Sequence, residues 1–174
     1  MSADQRTDEE IMALVAQGDL DVLQILFDKH HKHVYNFLFK MSGDKMLSED
    51  LTQDVFYKVI KYRTSYNNGS FISWLFTIAR NSIKTHFTRN KEVHNTIETV
   101  LYKVEEKENH EDYSHLHKAL QQLEPSDREL VVLNRLQGIK YQELADIMNS
   151  TPGAVKTKMS RALKKLKSIY LQTI

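Results

Sequence analysis

Tyr141-Gln-Glu-Leu-Ala-Asp-Ile-Met-Asn-Ser-Thr-Pro-Gly-Ala-Val-Lys-Thr-Lys158 is the stretch on which the fold turns. Its pattern predicts a short helix from Tyr141 to Met148, a tight turn over Asn149 to Gly153, and a second helix to about Tyr170. Asparagine tolerates a left-handed backbone, which suits Asn149 to the turn. Thr151 supplies a cap for the second helix, and Pro152 fits its first position, where no N–H is needed. Ala145 and Val155 fall where the two helices meet, and the small alanine permits close approach. Residues 126–170 therefore read as a helix-turn-helix unit.

Projected at roughly 100° per residue, the second helix places Val155, Met159, Ala162, Leu163, Leu166, Ile169 and Tyr170 on one arc. Thr157, Ser160, Arg161 and Lys164 lie opposite, with Lys156, Lys158, Lys165 and Lys167 on the flanks and no acid from Pro152 onward. Short polar side chains and an arginine can reach base edges in the major groove, while flanking lysines neutralise phosphates. Lys156, Thr157, Lys158, Ser160, Arg161 and Lys164 are the expected DNA contacts. A basic amphipathic helix can also be a plain solvated face; the preceding helix, the turn and Ala145 favour DNA.

The whole chain has 174 residues, enough for one domain or two small ones, and 41% hydrophobic with 27% charged residues suits a folded protein. Its net charge is only +1, so any nucleic-acid surface must come from local clustering. The absence of cysteine excludes disulfides and thiolate metal sites and fits a reducing compartment. MSADQRTDEE is too polar for a secretory signal, and no apolar run approaches the ~18 residues of a membrane span. A cytoplasmic protein without direct membrane insertion is expected.

Five glycines, two prolines and no alternating strand pattern predict an all-α fold. A first helix is expected from Thr7 or Asp8 to near Gly18, a second from Asp19 to Ser42 or Gly43, a third capped by Ser48, and a fourth over Phe71–Arg89 after a polar loop. Residues 92–112 are acidic and aperiodic and read as a flexible charged linker. A further short helix over 114–123 precedes one opening at Pro125 and Ser126 and ending at Gly138. The expected domains are 8–90 and 114–174, joined by a linker over 91–113.

The fourth helix carries Phe71, Ile72, Trp74, Leu75, Phe76, Ile78, Ala79, Ile83 and Phe87 on a broad apolar arc. Ser73, Thr77, Arg80, Asn81, Lys84 and Thr88 fill the remainder. Trp74, at the edge of the apolar arc, is expected to pack in the core. Two polar and basic helix faces on two linked units suggest two contact points on one nucleic acid.

Phe71-Ile-Ser-Trp-Leu-Phe-Thr-Ile-Ala-Arg-Asn81 closely resembles the region 2 signature of the sigma-70 family, in its extracytoplasmic-function group. Ser48-Glu-Asp-Leu-Thr-Gln-Asp-Val-Phe56 resembles the polymerase-binding helix of that region, and Tyr141–Lys158 resembles region 4. The resemblance implies a sigma factor with two small helical domains, region 2 and region 4. Its implied partners are core RNA polymerase and promoter DNA, both duplex and opened non-template strand. It also implies an anti-sigma protein, no cofactor, no metal and no catalytic residue. Asp50, Gln53 and Asp54 match polymerase-contact positions. Asn81 matches a position near the captured minus-ten base, and Ser65–Ser70 matches the specificity loop, with Tyr66, Asn67 and Asn68 as candidates for its rim. Thr77, Arg80 and Lys84 join Asn81 on the polar arc. Asn134, Lys140 and Ser160 depart from residues common in the group, which leaves the minus-thirty-five sequence unread.

Two other classes compete. A duplex-binding repressor or activator would need no polymerase contact at Asp50, Gln53 or Asp54. A metal-dependent nucleic-acid enzyme would use His30 and His33, yet no carboxylate completes an evident ligand set there.

Overall fold

The structure, a computed structural model, describes residues 5–94 and 111–173. The described elements are helical: α1 (Asp8–Ala16), α2 (Leu23–Ser42), α3 (Lys45–Lys61), α4 (Phe71–His94), α5 (Glu111–Gln122), α6 (Pro125–Val131), α7 (Tyr141–Ile147) and α8 (Pro152–Thr173). Described residues 5–38 with 46–94 form one compact unit, and 39–45 with 111–173 form another.

In the first unit, Thr7 opens α1 with a capping box. Its hydroxyl accepts from Glu10 N, and Glu10 Oε2 accepts from Thr7 N at 2.7 Å. Ile11, Met12 and Val15 face inward, and the chain leaves the helix through Gly18 at φ 106°. The second helix starts at Leu23 rather than Asp19, because after the turn at Gly18 the chain makes a second turn over 21–22, with Leu23 N donating to Leu20 O at 3.2 Å. Ser48 is not the cap of α3. Ser42 Oγ accepts from Asp44 N at 3.2 Å beside Gly43 (φ 69°), so the chain reverses there and α3 begins at Lys45. Ser48 is fully buried one turn inside, and its carbonyl accepts from the Thr52 hydroxyl. Phe71, Leu75, Phe76, Ala79 and Ile83 of α4 are buried, as are Phe37 and Leu38 of α2 and Val55 and Val59 of α3, and Phe37 and Phe76 pack edge to face.

The ends expected for the linker are helical. Residues 91–94 continue α4, and 111–113 begin α5. The remainder of the linker, 95–110, lies outside the described residues.

In the second unit Pro125 takes the first position of α6, preceded by Glu124; Ser126 makes no cap. The helix expected to run on to Gly138 changes pitch instead. Val132–Leu136 form a π-turn, a widened single turn that ends at Gly138 with φ 70°. Asn134 Nδ2 ties off the exit by donating to Ile139 O at 2.8 Å.

Arg128 is the polar centre of this unit. It is buried, and its guanidinium donates to Leu120 O (2.8 Å), Gln121 O (2.8 Å), Leu123 O (3.0 Å) and Met41 O (2.9 Å). The first three are carbonyls of the last turn of α5 and its exit, where helical partners run out, although Leu120 O also accepts from Leu123 N at 3.2 Å. Burial pushes the guanidinium below its ordinary value, but the four acceptors are what hold the charge in place.

A candidate nucleic-acid interface

Helix α8 buries Val155, Met159 and Ala162 and leaves Lys156, Thr157, Lys158, Ser160, Arg161 and Lys164 exposed. Local chemistry sets the start of this helix. Asn149 adopts φ 52° in the turn, Thr151 Oγ1 accepts from Ala154 N at 3.2 Å, and Pro152 follows at the first position. Ala145 and Val155 are both buried where α7 meets α8.

Two lysines also make contacts within the unit. Lys156 Nζ lies 5.6 Å from the Tyr141 ring centroid, a cation–π contact that braces the flank of the helix. Lys165 has a partner that the sequence did not announce. Its ammonium pairs with the buried Asp127 carboxylate at 2.9 Å, and that partner holds the ammonium above its ordinary value. Arg161→Ala is therefore expected to weaken specific duplex binding by about 1–3 kcal/mol, and Lys164→Ala to weaken binding on all sequences and lower the salt slope by about 1. Lys165→Ala should leave the slope unchanged. Anisotropy titrations on labelled DNA duplexes over a salt series measure all three.

The polar strip of α4 is narrower than its projection. Ser73 is buried, and Thr77 is half-buried with its hydroxyl donated to Ser73 O at 2.6 Å. Arg80 is half-buried, while Asn81, Lys84 and Thr88 are exposed. Ser82, one residue from the strip, is buried and accepts from Lys58 Nζ at 3.0 Å.

The loop before α4 divides its side chains. Asn67 and Asn68 are exposed, and Asn68 sits at φ 62°. Tyr66 turns inward at 7% exposure against the Phe71 and Trp74 rings and donates its hydroxyl to Gly69 O. Burial, then the nearby Glu9 and Asp8 carboxylates, push this phenol up to about 12, so it remains a hydrogen-bond donor. Trp74 is half-buried between Tyr66 and Phe71. Glu9, unremarked in the sequence, accepts from Phe71 N at 3.1 Å. No local pattern announces that bond, because the partners lie 62 residues apart.

On α3, Asp50 and Gln53 are exposed on one side with Tyr57. Asp54, half-exposed, pairs with Lys58 at 2.8 Å. His30 is buried, and its Nε2 lies 2.8 Å from Asp8 Oδ2. An ionised carboxylate only accepts, so the imidazole donates there. Burial pulls His30 below its ordinary value despite that partner. Among the described residues no group of three or more His, Cys, Asp or Glu could hold a metal ion, and no helix is long and apolar enough to cross a membrane.

Comparison with known proteins matches these two units to two family models. Residues 26–93 match Sigma-70 region 2, and residues 114–166 match Sigma-70 region 4. The RNA polymerase sigma factor CarQ of Myxococcus xanthus is 34% identical over 158 residues, covering 87% of this chain and 91% of CarQ. The chain belongs to the sigma-70 family, in its extracytoplasmic-function group. The ECF RNA polymerase sigma factor SigX of Bacillus subtilis is 30% identical over 160 residues, covering 84% of this chain and 82% of SigX. Among solved structures, the sigma factor RpoE in complex with the anti-sigma factor NepR from Bartonella quintana aligns with a TM-score of 0.71 and 27% identity over 84% of this chain and 95% of that one. CnrH, solved in complex with the cytosolic domain of CnrY, shares the fold at a TM-score of 0.74 and 20% identity, over 93% of this chain and 96% of that one. As a sigma-70 family member this sigma factor binds core RNA polymerase and directs promoter-specific initiation of transcription at minus-ten and minus-thirty-five elements.

Proposed function

We propose that each promoter element is read by one unit, through side chains on an acid-free helix face. Asn67, Asn68, Asn81 and Lys84 contact the opened non-template strand at the minus-ten element, with Arg80 and Thr77 at the edge of that surface. Tyr66 contributes by shaping the loop. Arg161, Ser160, Thr157 and Lys164 enter the major groove at the minus-thirty-five element, flanked by Lys156 and Lys158 on phosphates. Asp50, Gln53 and Asp54 face the polymerase clamp. The supporting observation is the coincidence of exposure and charge. Lys156, Thr157, Lys158, Ser160, Arg161 and Lys164 are all exposed on the side of α8 away from Val155, Met159 and Ala162.

The domains are residues 8–90 and 114–174, joined by a linker over 91–113. The protein acts in the cytoplasm, takes no cofactor, and has no catalytic residue of its own; strand opening draws on contacts to single-stranded bases. An anti-sigma protein is its expected regulator, as NepR is a partner of RpoE.

Run-off transcription by core polymerase with this chain on a promoter library tests the scheme. Promoter-specific transcripts are expected with both elements enriched. Asn81→Ala is expected to alter selection only at the minus-ten element, and Arg161→Ala only at the minus-thirty-five element. Loss of both preferences in either variant would contradict the division of labour.

A further inference from the structure

We infer that α1 is a brace for the loop that reads the minus-ten element, and that Glu9 is the positioning residue that holds the downstream end of that loop. This rests on the reading of Asn67 and Asn68 as base contacts. The start of α4 has its first N–H groups held by two acceptors of different origin. Ser70 Oγ is local and takes Ser73 N at 3.2 Å. Glu9 Oε1 is remote and takes Phe71 N at 3.1 Å. Phe71 immediately follows the loop, so the carboxylate on α1 fixes the point at which the loop becomes helix.

That carboxylate stays in place only while α1 is docked, and its docking is specific. Asp8, the neighbour of Glu9, accepts from Lys29 Nζ and His30 Nε2, both at 2.8 Å, and the His30 ring lies 5.5 Å from the Phe71 ring. A helix that merely covered the core would need only Ile11, Met12 and Val15. The two adjacent carboxylates instead aim at α2 and at the backbone of α4. The loop also has a hold of its own. Asn68 occupies a left-handed conformation, which asparagine tolerates, and Tyr66 spans the loop to Gly69 O from a buried position. Its conformation is thus set from both ends, by Tyr66 within and by Glu9 from α1.

The test uses full-length protein with core polymerase and a promoter set differing only in the minus-ten element. Open-complex formation on the preferred element over single-base variants is expected to fall about tenfold in Glu9→Ala, the scale of one hydrogen bond to a charged group. Glu9→Gln keeps an oxygen acceptor for Phe71 N and should stay within about twofold of the parent. Glu9→Asp keeps the charge but withdraws it by a methylene, so it should behave like Glu9→Ala and replaces it if that variant fails to fold. Core-polymerase affinity and minus-thirty-five preference should be unchanged in all three.

Unchanged minus-ten selectivity in both Glu9→Ala and Glu9→Asp, with Asn67→Ala still altering it, would overturn the brace and leave the loop reading intact. No change in any of them, Asn67→Ala included, would overturn both. A fall in Glu9→Gln as large as in Glu9→Ala would assign the effect to charge and overturn the hydrogen-bonded positioning.

Discussion

Arg128→Ala is expected to destabilise the second unit by about 3–5 kcal/mol, because it strips the donor from several buried carbonyls at about 1–3 kcal/mol each. The substitution leaves the Leu120, Gln121 and Leu123 carbonyls without the donor that now serves them, in a place that water does not reach freely. Leu120 and Leu123 are themselves core residues, so the end of α5 cannot swing out to find solvent without exposing them. Domains of this size have little stability to spare, so the helix-turn-helix should unfold with the rest of its unit. Arg128→Lys should recover little, because the three donors of a compact ammonium cannot serve four carbonyls spread around a planar fork. Chemical denaturation followed by far-ultraviolet circular dichroism measures the loss. Anisotropy on a minus-thirty-five duplex should fall with it, and a variant as stable as the parent would show that the carbonyls are served in another way.

Phe71→Ala is expected to have a comparable effect on the first unit, again about 3–5 kcal/mol, as large-to-small changes at fully buried aromatics do. Phe71 is completely enclosed, and its ring touches three side chains with separate duties: His30, which holds α1; Tyr66, which holds the loop; and Trp74, the next turn of α4. The cavity would therefore open at the junction of α1, the loop and α4. Polymerase binding and minus-ten selection should be lost together, while the second unit keeps its own unfolding transition. Differential scanning calorimetry of the full chain separates these outcomes: one transition should move down and the other stay.

Much of this architecture was legible in local pattern. The turn between α7 and α8 is written in Asn149, Thr151 and Pro152, each with a job defined by its own backbone conformation or first-turn hydrogen bond, and the structure has all three doing it. The apolar arc of α8 likewise follows from period alone. What escaped were features whose partners are distant or whose neighbours crowd them. Ser73 is polar and lies on the polar side of a helical wheel, yet neighbouring packing buries it. Lys165 resembles the other lysines of α8 until Asp127, 38 residues away, is brought to it. The π-turn at Val132–Leu136 has no breaker residue within it. Tyr66 read as part of an exposed rim because its neighbours Asn67 and Asn68 are loop formers, whereas an aromatic beside Phe71 and Trp74 has more to gain by burial.

The bond between Glu9 and Phe71 also has a meaning in time. A turn stabilised by its own neighbours can form early and locally, but an acceptor 62 residues upstream becomes available only when the intervening helices have collapsed into place. The loop that we propose reads the minus-ten element is thus expected to acquire its shape late in folding. A nascent or half-assembled chain would carry the residues for reading DNA without yet having their arrangement.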